Sequence, residues 1–430
     1  MENQPNSNPL RKLYLLLLAI GPGIFAIGYT IGTGSVTSMI VAGSEHGMQL
    51  LWGLFLSCLF SWILMEAYGR YALVTGETAL FGFKKHLKFG SAIAILIIIG
   101  VTFGQWNSLI GILGISANAI FETIVLFIPA LDGYEYWGVL ITALIIISIM
   151  YTMLWHGSYT VFERILVIFV SFMGLSFFLS FFIAIPDASA VLNGMIPSIP
   201  EVENGEKGEG QLLVAAIVGT TMAAATFLSR PLFIQGKGWT KENMKDQSKD
   251  ARWAAILIFI ISGSIMAVAM GAFYHDGVKV TRVLDMVDAL EPIAGRFAIA
   301  IFFIGTLSAG LSSVFPILMI CPLLIADYQD GKLDMKSNQF KALTGFACLI
   351  SLIVPVMGAN PIKAQLVTQV LNVFVLPLVI FGILVLINRK ELMGEHKAGL
   401  FLNIGIVLSL IFACFISYNG VIAIFEKLQF

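Results

Sequence analysis

Eleven stretches of the 430-residue chain run without a charged residue for long enough to cross ~30 Å of hydrocarbon, which takes about 20 helical residues. They fall at 13–42, 47–65, 89–121, 138–156, 165–186, 211–229, 253–274, 297–326, 342–360, 364–388 and 398–423. In lipid every backbone N–H and C=O must be paired inside the protein, so uninterrupted runs of this length fold as helices. With 58% hydrophobic and 12% charged residues, an ordinary soluble globule is excluded. The chain is read as an all-α membrane protein with eleven transmembrane helices.

Two places within these runs resist a regular helix. Ile31-Gly32-Thr33-Gly34-Ser35-Val36-Thr37-Ser38 puts two glycines and four hydroxyls in the middle of the first run. Broken backbone at that depth is tolerated only where it faces protein or a water-filled cavity. A close helix crossing is the competing explanation, because Gly and Ser also let helices approach one another. About 190 residues later, Val218-Gly219-Thr220-Thr221-Met222-Ala223-Ala224-Ala225-Thr226 interrupts the sixth run in the same way. Paired interruptions in corresponding halves point to a carrier's midplane site.

Lys and Arg gather on alternate connections. Arg11, Lys12, Arg70, Lys84, Lys85, Lys88, Arg164, the cluster from Lys237 to Arg252, Lys332, Lys336, Lys341, Arg389, Lys390 and Lys397 share one side. Lys207, Lys279, Arg282, Arg296, Lys363 and Lys427 take the other. The bias places the N-terminus in the cytoplasm and Phe430, after an odd number of spans, outside a plasma membrane. No removable signal peptide is expected, and a net charge of −1 without a basic patch gives no expectation of nucleic acid. Cys58, Cys321, Cys348 and Cys414 lie in apolar runs without metal-site spacing and are read as packing residues.

Short signatures line up along the spans. Gly21-Pro22-Gly23 opens the first, and Val41-Ala42-Gly43-Ser44, Gly47 and Leu50-Leu51-Trp52 follow it. Leu73-Val74-Thr75-Gly76-Glu77 ends the second, and Ser308-Ala309-Gly310-Leu311-Ser312-Ser313 sits in the eighth. Gln369-Val370-Leu371-Asn372 sits in the tenth, with Asn388-Arg389-Lys390-Glu391-Leu392-Met393-Gly394 after it. In this order they resemble the Nramp family of divalent metal transporters. The resemblance implies a LeuT-like fold with two inverted five-helix repeats, broken first and sixth helices, and one peripheral helix. The chain then divides into a cytoplasmic tail 1–12, repeats 13–186 and 211–388 joined by an extracellular loop 187–210, and 389–430 with the eleventh helix. It also implies proton-linked uptake of manganese or ferrous ions.

The sequence departs from that family at the site itself. The family's Asp-Pro-Gly-Asn falls on Gly32, Thr33, Gly34 and Ser35, so the metal-binding Asp and Asn are replaced by Gly32 and Ser35. Its Met-Pro-His-Asn falls on Ala223, Ala224, Ala225 and Thr226, and a second histidine becomes Arg230. Bare Mn²⁺ or Fe²⁺ needs a carboxylate to offset its charge, and a thioether adds preference for soft metals. Only hydroxyls, amides and carbonyls remain, and several kcal/mol of dehydration cost would go uncompensated. Binding of a dehydrated transition metal in the family manner is not expected. Two readings stay open: a hard cation such as Mg²⁺ that keeps most of its waters, placed first, or a small polar organic solute or anion held by half-helix N-termini.

The substrate-binding candidates are Gly32, Thr33, Gly34, Ser35, Thr220, Thr221, Ala223 and Thr226 at the breaks, with Asn107, beside Gln105 and Trp106, in the third span. Gln369 and Asn372 join them from the tenth. Glu66 is read as an i,i+4 partner of Arg70 and Arg230 as a snorkelling residue; the alternative pairs Glu66 with Arg230 as a gate. None of His46, His86, His156, His275 and His396 falls in mid-span, so weak or absent proton coupling is expected. No nucleophile–base pair or metal constellation points to an enzyme, and no cofactor is expected. No repeated filter motif points to a channel. A monomer is expected, and a transport-inactive sensor stays open beside the carrier.

Overall fold

The computed structural model describes residues 22–156, 159–181, 188–200, 209–274, 280, 291–329 and 335–428. The expected tail 1–12, the start of the first span and the acidic part of the extracellular loop at 201–208 lie outside the described residues. The helices that position the site are α1 Gly23–Thr30, α2 Thr33–His46, α3 Leu51–Thr75, α4 Ala79–His86, α5 Gly90–Phe127, α6 Glu135–His156 and α7 Tyr159–Phe181. They continue with α8 Glu209–Thr221, α9 Ala224–Gly236, α10 Met244–Ala269, α11 Glu291–Gln329, α12 Asn338–Ser351, α13 Pro361–Leu371, α14 Leu376–Asn388 and α15 Leu400–Leu428.

Among the described residues nine helices are long and apolar enough to cross a membrane, or ten when α1 and α2, bent by 55°, count as one broken span. The fifth expected span, at 165–186, corresponds to α7, described to Phe181. Its described apolar part, Val167–Phe177, is too short to count by itself. The layering follows burial. The most apolar window of Gly210–Gly236 is 100% buried, whereas those of Gly90–Val125, Glu135–Trp155, Asn338–Met357 and Leu400–Glu426 are 39% buried. The sixth span is thus the axis of the bundle. Ile99 and Phe103 of α5 and Leu400, Phe401 and Ile411 of α15 form the apolar outer surface that a bilayer covers.

Both expected breaks are present. After α1 the chain leaves helical geometry at Ile31 (φ −94°, ψ 71°) and is extended at Gly32 before α2 begins. Between α8 and α9, Ala223 is extended (φ −68°, ψ 123°). A third break was not expected. Residues 372–375 form turns between α13 and α14, where Pro377, in the first turn of α14, has no N–H to continue a ladder from the preceding turn. α10 also begins at Met244, ahead of the expected run at 253, so Gln247 and Asp250 are helical and buried. A count of charge-free residues ends a span at the first charge, although a paired charge can lie inside it.

Candidate functional site

The two breaks open onto one narrow hollow, with a cavity volume of about 10 Å³, room for little more than one water molecule. Tyr29, Gly32 and Gly34 line it from the first break, and Gly219, Thr220 and Ala223 from the second. α5 contributes Gln105, Ser108 and Ile112, α11 contributes Ser313 and Ile317, and the third break contributes Gln369 and Asn372. Gly34 allows this approach, because a Cβ there would overlap the Gln369 amide and press on that of Gln365.

The polar groups form one chain. Gln105 Nε2 donates to Asn372 Oδ1 at 2.9 Å, and Asn372 Nδ2 donates to Gln369 Oε1 at 3.0 Å. Gln369 Nε2 and Gln365 Nε2 both donate to Ser108 Oγ, at 2.8 and 3.2 Å. Thr220 Oγ1 donates to the Thr30 carbonyl at 3.3 Å, covering one open end of α1. Neither α2 nor α9 has a side-chain cap, so their N-termini bring backbone N–H groups and a partial positive charge to the breaks. α1 and α8 bring the opposite, carbonyl ends. No described lining residue is acidic, and among the described residues no group of three or more His, Cys, Asp or Glu could hold a metal.

Of the expected site residues, Gly32, Gly34, Thr220, Ala223, Gln369 and Asn372 line this hollow. The others do not. Ser35 Oγ sits 3.4 Å from Ser262 Oγ of α10. Thr33, Thr221 and Thr226 are buried, their hydroxyls without a partner among the described residues, and the Thr221 carbonyl accepts from Ser61. Asn107 turns away and donates to the Phe103 carbonyl of its own helix at 2.7 Å, while the next residue, Ser108, faces in. Tyr29 and Ser108 are additions to the expected set, and Ser313, which with Ser308 and Ser312 reads from sequence as a packing face with a polar lining as the alternative, lines the hollow. For Ser108 the available signal is its place one helical turn after Gln105.

Where α1 begins, a second polar cluster is packed almost dry. Arg230 Nη2 donates to Asp250 Oδ2 at 2.7 Å and to Gln247 Oε1 at 2.9 Å, and the Arg230 and Asp250 side chains are 2% and 3% exposed. The Gly23 N–H donates to both Asp250 oxygens, at 2.9 and 3.1 Å. Gln247 Nε2 donates to Glu66 Oε2 at 3.1 Å, and Glu66 pairs with Arg70 at 2.9 Å. The i,i+4 pair is therefore present, but Arg230 does not snorkel and does not touch Glu66. Its ion-pair partner is Asp250, which the late start assigned to α10 had placed outside the span. Nearby, the turn after α3 holds Glu77 among Tyr71, Lys85 and His86, and Asp327 of α11 accepts the Leu80 and Phe81 N–H groups at the start of α4. Burial alone would raise the Glu77 pKa, but hydrogen bonds from Lys85, Tyr71 and His86 outweigh it and hold the carboxyl below its ordinary value.

A helical bundle with broken first and sixth spans around an uncharged central hollow is the build of a secondary membrane carrier. The chain belongs to the Nramp family: the family profile, described as natural resistance-associated macrophage protein-like, matches residues 23–423. The divalent metal cation transporter MntH of Nostoc sp. is 25% identical over 415 residues, covering 93% of this chain and 89% of the relative. A protein of the same name from Listeria monocytogenes is 25% identical over 438 residues, 98% of this chain and 92% of its own. In structure the chain is similar to the Eremococcus coleocola manganese transporter (TM-score 0.72, 15% identity, 98% of this chain and 88% of that one). It is also similar to MhsT in complex with L-phenylalanine (TM-score 0.60, 16% identity, 95% and 98%). These likenesses establish the LeuT-like fold.

Proposed function

We propose that this chain carries a divalent cation across the membrane by alternating access, and that the ion is a hard one such as Mg²⁺, moved with waters attached rather than as bare Mn²⁺ or Fe²⁺. A divalent cargo is supported by the relatives, which are divalent metal cation transporters. The departure from manganese rests on one observation: the described lining of the hollow has no carboxylate, thioether or imidazole. A bare divalent ion there would lose its hydration without an anion in return, whereas Mg²⁺ sheds water reluctantly and can be held through it by amide and hydroxyl oxygens. The hollow is too narrow for a hydrated ion, so entry requires one end of the bundle to open. We assign the Arg230–Asp250–Gly23 link as the closure at the α1 end. Weak or absent proton coupling accompanies this reading, because the lining residues include no group that titrates near neutral pH.

A small anion or polar organic solute is the second reading, favoured by the uncapped N-termini of α2 and α9. Thermal unfolding of the purified protein against Mg²⁺, Ca²⁺, Mn²⁺, amino acids and organic anions separates the two, since a ligand of the native state raises its stability. Stabilisation by Mg²⁺ above that by Mn²⁺ is expected. Stabilisation by Mn²⁺ alone, or by an organic anion alone, contradicts the proposal, and no response to any of them leaves the transport-inactive sensor.

A further inference from the structure

α10 has two unlike faces where it enters the bundle. Gln247, Asp250, Ala251 and Ala254 are buried, and the first two hold Arg230. Lys245, Lys249, Arg252 and Trp253 are exposed. Lys245, Lys249 and Arg252 follow one another at i, i+4 and i+7, so the three cations share a stripe along the outer face of the helix. The carboxylates of α10 and its neighbour Glu66 are engaged elsewhere: Asp250 with Arg230, Glu66 with Arg70, and Asp246 with the Asn243 amide. Lys245, Lys249 and Arg252 have no ion-pair partner among the described residues.

Arg252 starts too deep to stand in open water. Asp250, two residues earlier, meets the first turn of α1, and eight helical residues put that turn roughly 12 Å from the break at Ile31. Half of the hydrocarbon is about 15 Å thick, so the backbone of Arg252 lies beneath the headgroups. Its guanidinium carbon is 5.8 Å from the centre of the Trp62 ring on α3. The Trp62 indole N–H is buried and has no partner among the described residues. Seven residues after Arg252 and seven before Trp62, the rings of Phe259 and Phe55 meet edge to face at 5.8 Å. The two contacts run against each other in sequence, so the helices are antiparallel and frame a seam roughly 10 Å long. Leu59 and the exposed Ile256 lie between them on the same two faces, and the seam is apolar beyond its charged end.

We propose that this seam binds an anionic phospholipid from the leaflet on the side where Lys and Arg gather. The Arg252 guanidinium and the Trp62 N–H hold its phosphate, and an acyl chain lies along Leu59, Ile256, Phe55 and Phe259. A guanidinium presents a fork that matches two phosphate oxygens, and packing over Trp62 fixes its plane. The phosphate gives the orphaned indole N–H an acceptor, and the chain covers apolar surface that a free anion leaves bare. Lys249 and Lys245, nearer the water, add attraction for a net negative headgroup that a zwitterionic one, carrying its own cation, lacks. Gln247 and Asp250 occupy the other side of the same turns, so a lipid on the outer face steadies the Arg230–Asp250–Gly23 link, and the coupling is reciprocal. Lipid binding stands whatever the cargo; its effect on closure rests on the gate reading.

The test is thermal unfolding of the purified full chain in neutral-detergent micelles titrated with phosphatidylglycerol, phosphatidylcholine or inorganic phosphate at one ionic strength. Phosphatidylglycerol is expected to raise the midpoint saturably, and the other two to leave it where it was. In Arg252→Ala the apparent affinity for phosphatidylglycerol is expected to fall about tenfold, the worth of one charge-assisted hydrogen bond. Trp62→Phe, which keeps a ring and removes the N–H, is expected to lose about threefold. Lys397→Ala, at an exposed lysine between α14 and α15, removes the same charge and is expected to bind as the parent does. Arg252→Gln keeps the test open if the alanine variant does not fold. Equal responses to phosphatidylglycerol and phosphatidylcholine overturn the proposal, as do equal losses in Arg252→Ala and Lys397→Ala. A response to inorganic phosphate matching that to phosphatidylglycerol overturns the lipid in favour of a free anion.

Discussion

Asn372 shows how the hollow is held and how its selectivity can be changed. Its oxygen takes the Gln105 proton and its nitrogen serves Gln369, so one side chain joins α5 to the third break. Asn372→Ala leaves a buried donor and a buried acceptor without partners, and a loss of about 1–3 kcal/mol in unfolding free energy is expected. Asn372→Asp adds a carboxylate with almost no change of volume. If the absence of an anion is what excludes bare transition metals, this variant should bind Mn²⁺ at least about tenfold more tightly than the parent by calorimetry. Unchanged Mn²⁺ binding would show that something other than charge excludes it. Much of this lining was legible. Gly32, Gly34, Gln369 and Asn372 stand out because glycines and amides are costly in hydrocarbon unless a structure needs them. Tyr29 and Ser108 were not, since a tyrosine or serine in an apolar helix usually bonds to nearby backbone, and only packing decides which way it faces.

At the scale of helices, the ion pair between α9 and α10 joins the first turn of α1 through the Gly23 N–H. Removing one partner of a buried pair leaves the other charge uncompensated, so Arg230→Ala is expected to cost about 3–5 kcal/mol and to raise access of a membrane-impermeant thiol reagent to a cysteine placed at the α1 end of the hollow. Parent-like transport and access in Arg230→Ala would remove the gate. The turn joining α3 to α4 offers a pH test. Because Glu77 is held below its ordinary value when folded, its contribution is present at neutral pH and is lost as pH falls through that lowered value. Glu77→Gln is expected to lower the unfolding midpoint at neutral pH, by about 1 kcal/mol or less for a partly exposed group, and to flatten the acid limb of a pH scan. A parallel shift at every pH contradicts this. The breaks in the first and sixth spans could be read from their Gly and Thr content. The break after Leu371 could not, because Leu, Val and Phe surround it and Pro377 alone hints at it. The charge-free run begins only after Arg252, so it leaves out the first turns of α10, and only the fold brings Arg230 to Asp250.

The whole molecule combines a familiar frame with an unfamiliar centre. The profile match across residues 23–423 establishes the frame, and its apolar helices, ten among the described residues counting the bent pair, follow the charge-free runs closely. Hydrocarbon thickness fixes span length so tightly that even a divergent sequence must display it. The centre follows no such rule, since a neutral hollow is compatible with several cargos. The account rests on a divalent cation crossing without an acid to bind it bare or a titrating group to move a proton with it. Uptake into proteoliposomes carrying a lumenal pH dye, with Mg²⁺ and Mn²⁺ offered separately, tests this most directly. The account predicts Mg²⁺ entry exceeding Mn²⁺ entry with the lumenal pH steady; Mn²⁺ entry accompanied by lumenal acidification would contradict it.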